Sequence, residues 1–369
     1  MKIKILTVFF LSASLFLTPQ CIAREKQPQL RLFVSMIQDP PVLSDRAEID
    51  KLVNFARETG VKVIFIQVYR GNRSWFPSRV ADDSLYRISA VKMSADPLAL
   101  LIRKAHEQKI QVHAWLNLLS LSSNENAPLL KKYGTRILTR NIKNKQELED
   151  YRIDGQFFLE PGDTEVRKEL SSLVSELLTA YPGLDGIQFD YIRYPDVHPF
   201  YGYTRANVER FKDATGKQAI VENSAVWKSW KRRQVTELLE ILVKRTRQIR
   251  PRIIVSATGC ASFTRAYEEA FQDWPSWIKS GLVDFVTLMA YTRDPRKFAR
   301  DIHEAEERTA APDKLHIAVG AYKLADSPET FQDQLQFCEK QDCGACAIFH
   351  YGSLEQNPRL AKILNKEEK

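Results

Sequence analysis

"LDGIQFDYIRYP" spans residues 184–195, and the reading of its middle decides the fold. A strand covered on both faces is normally a continuous apolar run. This one carries Gln188 and Asp190 in its middle and Arg193 near its end. Side chains alternate along a strand, so Gln188, Asp190 and Ile192 share one face, and Ile187, Phe189 and Tyr191 the other. The bulky face suits packing against helices. The polar face then points into a barrel, whose mouth is where a carboxylate has a use.

Seven further β-type runs recur, at residues 30–37, 62–69, 111–117, 253–258, 285–291, 316–322 and 346–351, most of them rich in Val, Ile and Phe. Helical patterns lie between them. Residues 45–59 open with a carboxylate and end at Gly60, and 97–108 have Asp96 as a capping candidate with Pro97 in the first turn. Others follow at 164–180, 227–250, 295–309, 328–340 and 356–365. Eight strands alternating with helices predict an α/β chain folded as a single (β/α)8 TIM barrel. A doubly wound sheet would place a Gly-rich loop after the first strand; "MIQDPPVLSD" (36–45) has none, and the whole chain holds 14 glycines. Residues 118–163 (β3–α3) and 195–225 (β4–α4) are long insertions on the catalytic face. No second domain is expected.

With 369 residues and 44% of them hydrophobic, there is ample material for a core. The net charge of +8 is spread along the chain and accompanies no nucleic-acid motif, so nucleic acid is not an expected partner. Lys2 and Lys4 precede an apolar stretch at 5–17, and Cys21-Ile22-Ala23 offers small residues for cleavage. This predicts a signal peptide over 1–23, removed after Ala23, and a periplasmic or secreted mature chain from residue 24. A lipoprotein acylated at Cys21 is disfavoured by Gln20 before it. No other run is long enough to span a membrane. The remaining cysteines are Cys260, Cys338, Cys343 and Cys346; their closeness makes Cys338–Cys343 the disulfide candidate. Cys343-Gly-Ala-Cys346 has redox spacing but runs into a strand rather than a helix.

In such a barrel the site lies at the C-terminal strand ends. These offer Gln67, Tyr69 and Arg70 from strand 2, His113, Trp115 and Asn117 from strand 3, and Asp190 and Arg193 from strand 4. Met289 and Tyr291 come from strand 6, Tyr322 from strand 7, and His350 and Tyr351 from strand 8. Each has a structural alternative. Asp190 could be an anchor held by Arg193 or Arg70, Trp115 and Tyr291 could be core, and His113 a satisfied core histidine. No H-x-H, H-E-x-x-H or carboxylate cluster supports a metal, no G-x-S-x-G elbow supports a serine hydrolase, and no cofactor is expected.

Six segments in order carry a resemblance: "IQVYRGNRSWFPS", "VHAWLN", "LEPGDTEVR", "DGIQFDYIRYP", "WKSWKRRQV" and "DWPSWIKSGLVDFVTLMAY". Together they resemble glycoside-hydrolase-like family 10, the DUF187 group, across residues 30–351. The resemblance implies an exported or envelope-attached barrel acting on polysaccharide; some bacterial members are similar to glycosidases that cut peptidoglycan strands stripped of stem peptides. Asp185, Asp190, Arg70, His113 and Trp115 match the family's pattern. Tyr191 departs from it, because many members have a second acid there. In a chitinase-type D-x-x-D-x-D-x-E register Ile192 would replace the catalytic Glu, which excludes that mechanism.

Glycoside hydrolysis needs two carboxyl groups. Asp190, among aromatic residues, is the expected general acid; Asp273, Glu268 and Glu160 are candidates for the second. Asp185 begins strand 4, at the wrong end for chemistry, and is expected to tie down the barrel floor. Arg70 and Arg193 suit an anionic sugar such as the lactyl carboxylate of muramic acid. The expected protein is a monomeric glycoside hydrolase of a peptidoglycan-type glycan. The alternative is a carbohydrate-binding pseudoenzyme that keeps the aromatic platform without a working acid pair.

Overall fold

The computed structural model describes residues 29–143 and 147–365; the expected signal peptide and Cys21 lie outside them. Eight parallel strands form the centre: β1 (Gln29–Val34), β2 (Val63–Arg70), β3 (Gln111–Asn117), β4 (Gly186–Asp190), β5 (Ile254–Cys260), β6 (Phe285–Ala290), β7 (Leu315–Gly320) and β8 (Ala345–Phe349). Each pairs with its sequence neighbour, and β1 pairs with both β2 and β8, which closes the sheet. Helices α1 (Arg46–Glu58), α2 (Pro97–Glu107), α3 (Thr164–Ala180), α4 (Ala225–Ile249), α5 (Trp274–Lys279), α6 (Pro295–Glu307), α7 (Pro328–Lys340) and α8 (Pro358–Leu364) surround it. The chain is the (β/α)8 barrel that its alternation predicts.

The helix starts follow one chemical rule. Asp45, Asp96, Asp163, Asp273 and Asp294 each accept a backbone N–H from the first turn of the helix that follows. Such caps contribute ~1 kcal/mol apiece, and proline stands within the first two helical positions after Asp96, Asp273 and Asp294.

Inside the barrel the floor and the mouth differ. At the floor, the Arg31 guanidinium lies 4.7 Å from the Phe285 ring centre, and His316 stacks on that ring at 3.8 Å. His113 sits edge-on to Phe65, fully buried, and burial assisted by the Arg31 charge lowers its pKa to about 3, so the imidazole is neutral. A Cβ on Gly186 would lie 2.3 Å from the His113 ring, so only glycine fits there. Asp185, at the same end, accepts the Val112 N–H and pairs with His106, both at 2.8 Å.

The two insertions build the rim. Residues 118–163 contain a two-stranded ribbon (Ser120–Ser122 with Phe157–Phe158) and a helix, Pro128–Tyr133. Residues 195–225 contain the helix Arg205–Thr215. A third addition, the helix Ser84–Met93 after β2, was not anticipated. Cys260, Cys338, Cys343 and Cys346 are all free and buried. The expected Cys338–Cys343 disulfide is absent, because the Cys343 thiol turns to donate to the Cys338 carbonyl at 3.3 Å.

Candidate active site

Asp190 is the last residue of β4 and is 4% exposed. Its Oδ2 accepts the Trp115 indole N–H at 2.9 Å, and its Oδ1 accepts the Tyr191 backbone N–H at 2.7 Å and the Thr258 hydroxyl. The Tyr191 contact requires a sharp exit from the strand: Tyr191 has a φ of 53°, a left-handed conformation that costs energy for an aromatic residue. Strands β3, β4 and β5 thus hold one carboxylate in one orientation. N–H donors occupy both oxygens, and an N–H cannot turn round to accept. This pattern suits a carboxylate that acts in its charged form rather than the proton donor expected from sequence.

Asp190 borders a cleft of about 440 Å³ at the C-terminal strand ends. Five cations line it, Arg70, Arg193, Arg265, Lys297 and Lys323, against three carboxylates, Asp190, Asp196 and Asp301. Arg265 pairs with Asp196 at 2.8 Å and Arg193 approaches it at 3.9 Å, while Asp301 pairs with Lys297 and Arg300. Burial works against the Asp196 charge, but Arg193 and Arg265 outweigh it and hold the carboxyl below the usual range. The Arg193 guanidinium lies 4.4 Å from the Tyr191 ring centre, with its Nε and Nη1 buried and without hydrogen-bond partners. Cys260 donates to Asp196 at 3.6 Å, and burial pushes its thiol up to about 11.

The rest of the lining is aromatic. Tyr291 lies 4.9 Å from Phe349 and 5.9 Å from Tyr322; Phe349 in turn lies 5.9 Å from Trp115. Burial and the Asp190 charge raise the Tyr291 pKa well above its ordinary value, so the phenol keeps its proton. Tyr322 is 44% exposed and offers its face at the rim. A charged carboxylate below an aromatic-walled, arginine-bordered cleft is an arrangement that can grip a sugar ring and face charge developing on it.

Residues 34–335 match the family described as glycosyl hydrolase-like 10. The chain belongs to this family. The glycosyl hydrolase DigH of Escherichia coli K12 is 25% identical over 346 residues, covering 84% of this chain and 76% of that protein. The glycosyl hydrolase YngK of Bacillus subtilis is 21% identical over 307 residues, covering 77% and 57%. Among solved structures, the catalytic domain of a β-amylase from Paenibacillus polymyxa superposes with a TM-score of 0.59 at 11% identity, covering 92% of this chain and 98% of that one. A β-galactosidase from Marinomonas ef1 gives 0.60 at 11% identity, covering 91% and 58%. At such identities the two structures speak for the fold alone.

Within this glycosyl hydrolase-like 10 barrel, Arg70, Trp115, Asn117, Asp190, Arg193, Tyr291 and Tyr322 line one cleft, as do Met289, Thr258, Cys260, Asp196 and Arg265. Several other expectations are corrected. Glu160 is fully buried away from the cleft, where it accepts the Tyr194 hydroxyl. Asp273 caps α5, accepting the Ser276 N–H, and Glu268 pairs with Lys228 and Arg232. Tyr69 packs among the outer apolar residues, its hydroxyl accepting from Asn72. His113 lies at the floor, and His350 sits against Phe349 outside the cleft lining. Gln67 is buried behind the wall, accepting from Ser35 and Met36 and donating to Asn117 at 3.0 Å, so it positions Asn117 rather than a ligand. Among the described residues no cluster suited to a metal occurs, and no helix is long and apolar enough to cross a membrane.

Proposed function

We propose that the protein is a glycoside hydrolase acting on an anionic, peptidoglycan-type glycan. The observation that carries this is Asp190: a buried carboxylate fixed by three donors at the end of β4, beneath aromatic rings in a cleft with excess positive charge. Its negative charge opposes the oxocarbenium-like charge that grows as the glycosidic bond breaks. Asp196 takes the place of the second carboxylate. An anionic sugar drawn to Arg193 adds a like charge beside Asp196 and favours its protonated form, so that it gives a proton to the leaving oxygen. The carboxylate of the substrate thereby prepares its own proton donor.

One observation favours a second reading. Asp196 and Asp301, the other cleft carboxylates, are each paired with two cations, which suits permanent charge and a protein that binds glycan without cutting it. Release of reducing ends from stem-peptide-free glycan strands, intact sacculi, chitin and neutral glucans separates the two. Release from the stem-free strands, lost in Asp190→Asn, is the expected result. Binding without release gives the second reading, and preference for a neutral glucan overturns the substrate assignment. Export is part of the proposal: N-terminal sequencing of the secreted chain should begin at Arg24, and an acylated Cys21 would overturn it.

A further inference from the structure

Beside the cleft lies a groove of about 560 Å³ between the loops that follow β1, β2 and β3. Arg70 lines both, so the two adjoin at that residue. The groove owes its shape to a tight reversal. Gly71 and Asn72 both take left-handed backbone angles, with φ of 61° and 57°, and turn the chain back so that Arg73 and Ser74 pair antiparallel with the end of β2. In this register Arg70 and Arg73 are direct cross-strand partners. Directly opposed side chains share a face, and like charges so placed destabilise a hairpin.

Among the described residues neither arginine has a carboxylate within ion-pair distance, although Asp82 attracts Arg73 from further off. Arg70 donates to the neutral Ser122 hydroxyl at 3.3 Å. Asp82 feels the charge of Arg73 but takes its hydrogen bonds from Ser84. Glu125, the acid on the groove's far wall, is held by Arg152. Two guanidinium groups therefore face one groove without a carboxylate between them.

We propose that this groove is a second sugar subsite, in which Arg70 and Arg73 together grip the carboxylate of a sugar unit adjacent to the one over Asp190. A carboxylate accepts N–H donors from two guanidinium groups at once and removes their repulsion. The inference rests on the glycan-binding reading above and deepens it. The protein selects a polymer carrying carboxylates on successive repeats, read at Arg193 in the cleft and at Arg70 and Arg73 in the groove. A lactyl ether and a uronic acid both supply such a carboxylate, and the test separates them.

The test uses the full chain carrying Asp190→Asn, so that binding is measured without turnover, with and without Arg73→Gln. Calorimetry reads the affinity for a stem-free muramic-acid-containing tetrasaccharide, for chitotetraose, which has the same backbone without the lactyl carboxylate, and for an oligouronate of equal length. Arg73 is exposed and faces a like charge, so its replacement does not lower the melting temperature. Loss of a charge-assisted contact predicts ~10-fold weaker binding of the carboxylated ligand. Binding of chitotetraose should stay within ~2-fold. Preference for the muramic or the uronic oligomer identifies the source of the carboxylate. Unchanged or equal losses for charged and neutral ligands overturn the subsite while leaving the hydrolase reading intact. If the parent binds none of the three but the native chain releases reducing ends from another glycan, the subsite falls alone. If it neither binds nor cuts any glycan, both fall.

Discussion

Replacing Asp190 by Asn keeps the shape of the side chain and exchanges one oxygen for an NH2 group. In the native site both oxygens face N–H donors, Trp115 on one side and Tyr191 on the other. Whichever way the amide turns, one N–H then points at NH2. The orientation with the amide oxygen toward Tyr191 and Thr258 keeps two contacts and leaves the Trp115 indole unpaired. A buried unpaired donor costs ~1–3 kcal/mol. At ~2–4 °C per kcal/mol for a large domain, the melting temperature should fall by several degrees without loss of the fold. Trp115→Phe removes the orphaned donor, so the double variant should be less destabilised than the sum of the single ones by ~1 kcal/mol. Chemical denaturation of the four proteins completes the cycle. Activity behaves differently: Asp190→Asn should lose at least ~100-fold, and Trp115→Phe should not restore it. Strict additivity refutes the indole–carboxylate bond as the coupling, and near-normal turnover by Asp190→Asn refutes its place in the chemistry.

Three other outcomes follow from the same geometry. The Asp196 carboxyl titrates below its ordinary range, so its contribution is present above ~3.9 and is lost as pH falls through the folded-state value; Asp196→Asn should flatten the acid limb of the melting temperature. Burial lowers the Lys231 pKa to about 7 against ~10.4 in the unfolded chain, so the unfolded state binds more protons between these values and stability rises with pH across them; Lys231→Met should abolish that rise in melts from pH 7 to 10. Gly186→Ala drives a methyl group into the His113 ring and should cost ~1–3 kcal/mol in urea unfolding, an effect that a second change, His113→Ala, relieves.

The fold and the position of Asp190 were legible because both depend on period. Strand alternation placed Ile187 and Phe189 outward and Asp190 inward, and the structure has them so. Tyr69 broke the same rule because the β2–β3 register slips between Gln67 and Tyr69, turning the tyrosine outward; a bulge leaves no mark in residue type. His113 faces inward as its period requires, but two residues before Trp115 it lies ~6.6 Å deeper, and alternation carries no information on depth. Asp273 was misread although a signal was present. Asp273 stands just before Trp274-Pro275 as Asp96 stands before Pro97, and the same capping rule applies to both. Thr258 and Cys260 were recoverable by extending the alternation of β5 inward from Ile254. Asp196 and Arg265 were not, because Asp196 sits on a loop and Arg265 opens a short helical turn (Arg265–Glu269), and the path of neither follows from strand period.

The charge pattern of the mouth bears on specificity more than on rate. Asp190 repels a carboxylate, so an anionic chain can lie in the cleft only if cations meet its charges away from that point. Arg70 stands on the β2 side, Arg193 and Arg265 on the β4–β5 side, and Lys297 and Lys323 after β6 and β7. A glycan with carboxylates on successive disaccharide repeats meets one of these on either flank while the uncharged sugar between them lies over Asp190. A neutral glucan stacks on the same aromatic rings but brings no negative charge to Arg193 and the other cations that line the cleft. A charged glycan gains charge-assisted contacts that a neutral one lacks, a larger factor than shape alone provides. Arg193→Met should therefore narrow the gap between charged and neutral glycans chiefly by weakening the charged one. Equal loss for both would mean that Arg193 serves Asp196 alone.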